Sequence, residues 1–196
     1  VAVNRERVAE LVRELLEAIG EDPDRPGLRQ TPTRVADAYA EFFAGVGEDA
    51  AAPLAQTISV SRGPAPETLP SGAVMLRDIR FRSVCEHHLL PFRGLAHIAY
   101  LPGEQVVGLG ALPKVVDVLA ARPQVQERLG EQIADAIAGA LDTRGVLVVL
   151  DAAHECLTMR GGRQPDATTV TVAARGELAE PAARAEIIAL LTGVRP

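Results

Sequence analysis

Two short segments hold most of the residues in this chain that can bind a metal and move protons: Cys85-Glu86-His87-His88 and His154-Glu155-Cys156. Both cysteines of the chain and three of its four histidines fall within them. Zinc favours tetrahedral sites of thiolate and imidazole, and a catalytic site keeps one of the four positions open. Cys85, His88 and Cys156 supply three such ligands and leave room for a water. His87 and His154 remain as free imidazoles beside it, able to exchange protons near neutral pH. The pattern predicts a catalytic Zn2+ site.

The elements around these segments must bring them together. Cys85 and His88 are three apart, a spacing that suits a turn wrapping one metal. Apolar runs at Val74–Arg82 and Gly94–Leu101 read as strands, with the Cys-Glu-His-His segment on their connection. Val146–Leu150 leads into the second segment. If residues 146–158 continue as one strand, His154 and Cys156 point to the same face.

Elsewhere, Val8, Leu11, Val12, Leu15, Leu16 and Ile19 repeat at helical spacing over residues 4–19, and Gly20 stops that helix. Thr31-Pro32 reads as an N-cap followed by proline at the first helical position, opening a second helix through about Phe43. From Gly45 to Gly72 the chain is rich in Ala, Pro, Ser and Gly and reads as an arm or linker, with a short strand at Thr57–Val60. Leu112–Ala121 and Gln124–Leu141 read as helices separated at Pro123. Thr168–Ala174 reads as a strand and residues 181–192 as a closing helix. The order predicts an α+β domain at 71–196, preceded by a helical extension and linker at 1–70.

Composition narrows the function classes. A net charge of −6 argues against a polyanion partner. Aromatic residues make up 3% of the chain and tryptophan is absent, so stacking platforms for single-stranded nucleic acid are not expected. A small phosphorylated ligand needs only a local cluster of arginines. No apolar run approaches the ~18 residues of a membrane span, and the first residues lack a signal-peptide core. Each cysteine stands near a histidine, which favours metal binding over a disulfide. These features predict a cytoplasmic protein with no nucleic-acid or membrane partner.

Four segments, in order, resemble the GTP cyclohydrolase I family. They are Gly27-Leu28-Arg29-Gln30-Thr31-Pro32-Thr33-Arg34-Val35, Ser83-Val84-Cys85-Glu86-His87-His88-Leu89-Leu90-Pro91-Phe92, Arg122-Pro123-Gln124-Val125-Gln126-Glu127-Arg128-Leu129, and His154-Glu155-Cys156-Leu157-Thr158-Met159-Arg160-Gly161. The resemblance implies a tunnelling fold: an antiparallel sheet with two helices on one face, assembling as a ring, with a homodecamer and active sites at subunit boundaries. It implies addition of water to C8 of the guanine of GTP, opening of the imidazole ring with loss of formate, and reclosure to dihydroneopterin triphosphate. Purine C8 is a poor electrophile, and zinc would help by lowering the pKa of a bound water to about 7. By the same resemblance, His154 protonates the imidazole ring of the base and His87 assists later steps.

Glu127 is then expected to read the base, because a carboxylate can accept both N–H donors of the guanine pairing edge in a fork. Gln126 would help to frame the base. Arg34 and Arg160 match family positions that bind the triphosphate. His97 has no partner motif and reads as structural.

The likeness departs in one region. The family's helix after the second strand usually begins Gly-Leu-Ser-Lys, with an arginine three residues beyond that Lys. Here the segment reads Gly108-Leu109-Gly110-Ala111-Leu112-Pro113-Lys114, and Asp37 stands where many members carry a basic residue. The chain has nineteen arginines and a single lysine, Lys114. A chain so biased would have drifted to arginine, so Gly110, Ala111 and Asp37 imply a changed phosphate pocket. One reading is GTP cyclohydrolase I with the phosphates on Arg34, Lys114, Arg160 and Arg163. A second is the same C8 chemistry on a less phosphorylated guanine nucleotide or another purine, in specialised metabolism. A third is a non-catalytic purine- or pterin-binding ring, against which the paired imidazoles weigh.

Overall fold

The computed structural model describes residues 2–59 and 72–192. The chain divides into two compact units, Val1–Glu48 and Asp49–Pro196. In the first, helix α1 (Arg5–Ala18) packs on α2 (Thr31–Phe42). The Asn4 side chain caps α1 by accepting from the Arg7 N–H, and Gly20 follows the helix at φ 88°, a conformation that favours glycine. Helix α2 begins one residue earlier than expected. Gln30 is its N-cap, and Thr31 and Pro32 lie in the first turn, where a missing N–H costs nothing.

The second unit opens with a 3₁₀ turn at Ala52–Leu54 and strand β1 (Thr57–Ser59). Val60, the expected end of that strand, lies outside the described residues. There follow β2 (Val74–Cys85), β3 (Pro91–Pro102), β4 (Gln105–Val107), α3 (Ala111–Ala120), β5 (Pro123–Gln124) and α4 (Gln126–Ala140). The chain continues through β6 (Thr143–His154), the short helix α5 (Glu155–Thr158), β7 (Thr169–Gly176) and α6 (Pro181–Thr192). β1 pairs with β4, and Leu54 is buried, so residues 52–59 of the stretch read as linker fold with this unit.

The main sheet has the order β5-β2-β3-β6-β7, antiparallel except for the two-residue β5, which pairs parallel with the end of β2. Strand alternation assigns its two faces. Ala96, Ile98 and Tyr100 of β3, with Val146, Val148 and Leu150 of β6, pack with Leu112, Val115 and Val116 of α3 and Leu129, Ile133 and Ile137 of α4. These two helices cover one face, as expected. Ala99, Leu101, Leu147 and Val149 point the other way and pack with Ile187 and Leu191, so α6 covers part of the opposite face. The result is an α+β fold.

Both strands leading to the metal-ligand segments run longer than their apolar patterns. β2 continues to Cys85 because Ser83 and Val84 pair with Phe92 and Pro91. β6 spans 143–154 because β3 and β7 flank it, and pairing overrides the weak strand preference of Asp151-Ala152-Ala153. Gly94 permits this contact. A Cβ there would lie 2.0 Å from the Asp151 carbonyl oxygen. At a bulge in β2, Asp78 takes φ 61° and its N–H donates to His97 Nδ1 at 3.1 Å, which gives His97 the structural place expected of it. Among the described residues, no helix is long and apolar enough to cross a membrane.

Candidate metal centre and active site

Cys85 is the last residue of β2, and the chain reverses tightly after it. The Cys85 N–H donates to the Leu90 carbonyl and the Leu89 N–H to the Cys85 carbonyl, each at 2.8 Å, with Leu89 at φ 52°. The next N–H, of Glu86, donates to the Gln124 carbonyl at 2.9 Å, tying the turn to β5. The expected strand through residue 158 does not form. β6 ends at His154, and Cys156 stands on the helical turn α5. A strand would have aimed His154 and Cys156 in one direction. The helical turn instead swings Cys156 back towards β2.

The ligand atoms of Cys85, His88 and Cys156 consequently lie within 4.8 Å of one another. Tetrahedral zinc with Zn–S of about 2.3 Å and Zn–N of about 2.0–2.1 Å needs ligand separations of roughly 3.5–3.8 Å. Two thiols and an imidazole at this spacing fit such an ion with little movement. Cys85 is buried, whereas His88 is exposed. Burial pushes the Cys156 thiol up, Cys85 adds to the rise, and Arg160 pulls it back. Binding a cation here would convert two crowded thiols into thiolate ligands.

The loop is clamped from α4. Arg128 donates from Nη1 and Nη2 to the two carboxylate oxygens of Glu86, at 2.5 and 2.9 Å. That fork holds the Glu86 carboxyl below its usual range. His87 follows Glu86 and is exposed, its ring 6.3 Å from that of His88 and almost perpendicular to it.

His154 is held on two sides. Its ring stacks on Phe92 at 4.6 Å, 5° from parallel, and its Nε2 lies 2.7 Å from Gln126 Oε1. Burial lowers its pKa, with the Glu127 carboxylate acting the opposite way. Gln126 itself is 1% exposed. Its amide nitrogen donates to the carbonyls of Thr169 at 2.7 Å and Leu150 at 3.1 Å.

Glu127 is exposed in the first turn of α4. With Gly130, Glu131, Thr171, Val172 and Ala173 it lines a cavity of about 270 Å³ between α4 and β7. Lys114 is exposed on α3, and Arg160 is exposed just after α5. Arg34 lies on α2 of the first unit and donates to Gln30 Oε1 at 2.9 Å, while Asp37 pairs with Arg5 at 3.7 Å. The fold thus brings Cys85, His88 and Cys156 together and sets His154 against Gln126, the neighbour of Glu127 on α4. Phe92, Arg128 and Gln124 were not singled out as functional from sequence. Each lies inside a quoted motif, but only the fold reveals its partner.

The metal-ligand group, the supported imidazole and the order of elements coincide with what one family combines. The family model for GTP cyclohydrolase I matches residues 8–192, and the chain belongs to this family. It is 64% identical over 188 residues to GTP cyclohydrolase 1 of Leifsonia xyli subsp. xyli, covering 96% of this chain and 95% of that one. It is 50% identical to GTP cyclohydrolase 1 of Bacillus subtilis (strain 168) over 188 residues, covering 95% of each chain. Identity to GTP cyclohydrolase 1 of Corynebacterium glutamicum (strain R) is also 50%, over 193 residues, with 97% and 94% covered. Among solved structures, the archaeosine synthase QueF-Like in the apo form is similar at a TM-score of 0.43 and 17% identity, over 59% of this chain and 97% of that one.

Proposed function

We propose that the protein is a zinc-dependent GTP cyclohydrolase I, which hydrolytically opens the guanine imidazole ring of GTP at C8, releases formate and recloses the product to 7,8-dihydroneopterin triphosphate. The observation that carries this reading is the convergence of Cys85, His88 and Cys156, with the half-buried His154 two residues before Cys156 and held by Gln126, the neighbour of exposed Glu127 on α4. Zinc bound by those three side chains would supply a Lewis acid that makes water nucleophilic at neutral pH.

The remaining work falls to the chain. The Glu127 carboxylate accepts the two N–H donors of the guanine pairing edge and so fixes the ring relative to His154. His154 exchanges a proton with the imidazole ring of the base, and exposed His87 serves the later ribose rearrangement and ring closure. Arg34, Lys114 and Arg160 bind the triphosphate. Gln126 completes the base pocket from behind by fixing His154. The unit Asp49–Pro196 is the catalytic domain of a tunnelling fold, and the unit Val1–Glu48 is its helical extension. Its copies assemble into a ring, a homodecamer by family likeness, acting in the cytoplasm in tetrahydrofolate biosynthesis.

The test is to incubate zinc-loaded protein separately with GTP, GDP, GMP and guanosine, following formate release and dihydropterin absorbance. Turnover of GTP is expected, and is lost when the metal is removed with a chelator. Turnover confined to the less phosphorylated compounds would overturn GTP as substrate. Metal binding without any turnover would overturn the enzyme.

A further inference from the structure

Gln126 and His154 meet in an arrangement that has only one good proton assignment. The Gln126 amide lies between three acceptors and one imidazole. Its Nε2 reaches the carbonyl oxygens of Thr169 at 2.7 Å and Leu150 at 3.1 Å, with a longer contact to Thr171 Oγ1 at 3.3 Å. A backbone carbonyl can only accept, so the NH₂ end must face these groups. Turning the amide over would set its oxygen against two carbonyl oxygens in a site that is 1% exposed. The oxygen end therefore faces His154, 2.7 Å from its Nε2. An oxygen that can only accept requires a proton on that nitrogen.

We propose that Gln126 is a positioning residue that locks neutral His154 in the Nε2–H tautomer and leaves Nδ1 as the nitrogen that exchanges protons with substrate. The inference rests on the reading of His154 as the proton-transfer residue. Among the described residues, Nδ1 has no hydrogen-bond partner. A proton taken up at Nδ1 is given up from Nδ1, and the Nε2–H···Oε1 bond persists in both states, so the ring never has to turn over. Stacking on Phe92 holds its plane meanwhile. A neutral amide partner suits this task. A carboxylate in its place would favour the imidazolium and hold the proton back.

The chain has four histidines, which makes a direct readout practical: ¹⁵N- and ¹³C-histidine-labelled holoenzyme in the solid state, with the His154→Asn spectrum as the assignment. The expected result is a protonated Nε2 and a bare Nδ1 for neutral His154, with the Nε2–H signal broadened or shifted in Gln126→Met. In turnover, Gln126→Met should lower kcat by about 10- to 100-fold, the scale on which outer-shell partners at metal sites act. KM should stay within about twofold. Gln126→Glu, whose carboxyl still offers an oxygen to Nε2, should restore the Nε2–H signal and guards against a misfolded Met variant. Finding the Nδ1–H tautomer, an unchanged Nε2–H signal in Gln126→Met, or no restored Nε2–H signal in Gln126→Glu would overturn the inference. A raised KM with kcat intact would also overturn it, making Gln126 a base-reading residue. Wild-type protein that fails to turn over GTP would sink the functional reading while leaving the tautomer measurement to stand separately.

Discussion

Phe92 and His154 are register partners across β3 and β6, and their rings stack with centroids 4.6 Å apart and planes 5° from parallel. Phe92 is fully buried, so the core itself supports one face of the imidazole. Replacing Phe92 by Leu keeps an apolar side chain but removes the flat support. A stability loss of about 1–3 kcal/mol is expected, together with a fall in kcat larger than that of other core variants of equal stability. Denaturant unfolding and steady-state kinetics on Phe92→Leu and, as the control, Ile133→Val separate the two effects. Equal kcat in both would refute a role for the stack.

Glu86 and Arg128 join the turn that carries Cys85 and His88 to α4 by a two-point ion pair. The pair is largely solvent-exposed, so it should be worth no more than roughly fivefold in an equilibrium constant. Arg128→Ala should therefore weaken zinc binding by no more than that, with little change in Tm. Arg128→Lys should not restore it, since an ammonium cannot make the planar fork. Competition against a metal-binding dye would measure this, and a full recovery by lysine would show that charge alone matters.

Glu127 lines the cavity between α4 and β7. An amide there can accept only one of the two guanine N–H donors and sets a donor against the other. Glu127→Gln should lose about 1.5–3 kcal/mol of binding, which is about 10- to 150-fold in kcat/KM. Metal content should not change. Kinetics on GTP and metal analysis of the same preparation test both halves. A variant with normal kcat/KM would move base recognition elsewhere.

Gly110, where the family usually has a serine, precedes α3 as its N-cap, and a Cβ built there meets nothing within 4 Å. Gly110→Ser should thus fold normally, with Tm equal or slightly raised because serine is a good N-cap. If the missing hydroxyl weakens this protein's hold on GTP, the variant will show a lower KM for GTP than wild type. An unchanged KM would make Gly110 a neutral difference from the family pattern.

Much of this site was legible before any fold was known. Cys85, His88 and Cys156 are rare residue types in this chain, and their ligand chemistry is local to each side chain, so their grouping could be foreseen. The helices α1, α3 and α4 also announced themselves, because amphipathic spacing repeats over several turns. Ends were harder. β6 runs twelve residues although its apolar core is only Val146–Leu150, since its extension depends on hydrogen bonds to β3 and β7 that sit far away in sequence.

The sequence by itself determined the chemistry on offer: two thiols, a set of imidazoles, a carboxylate at the start of α4, and an α+β order of elements to carry them. The tertiary structure alone decided how that chemistry is aimed. The break from strand to helical turn at Glu155 sends Cys156 to Cys85, and the pairing of β3 with β6 puts Phe92 under His154. Gln126 illustrates the same limit, because its role depends on the carbonyls of Leu150 and Thr169, groups that every residue possesses. Backbone acceptors leave no mark in a sequence. Only the fold says which side chain will meet them.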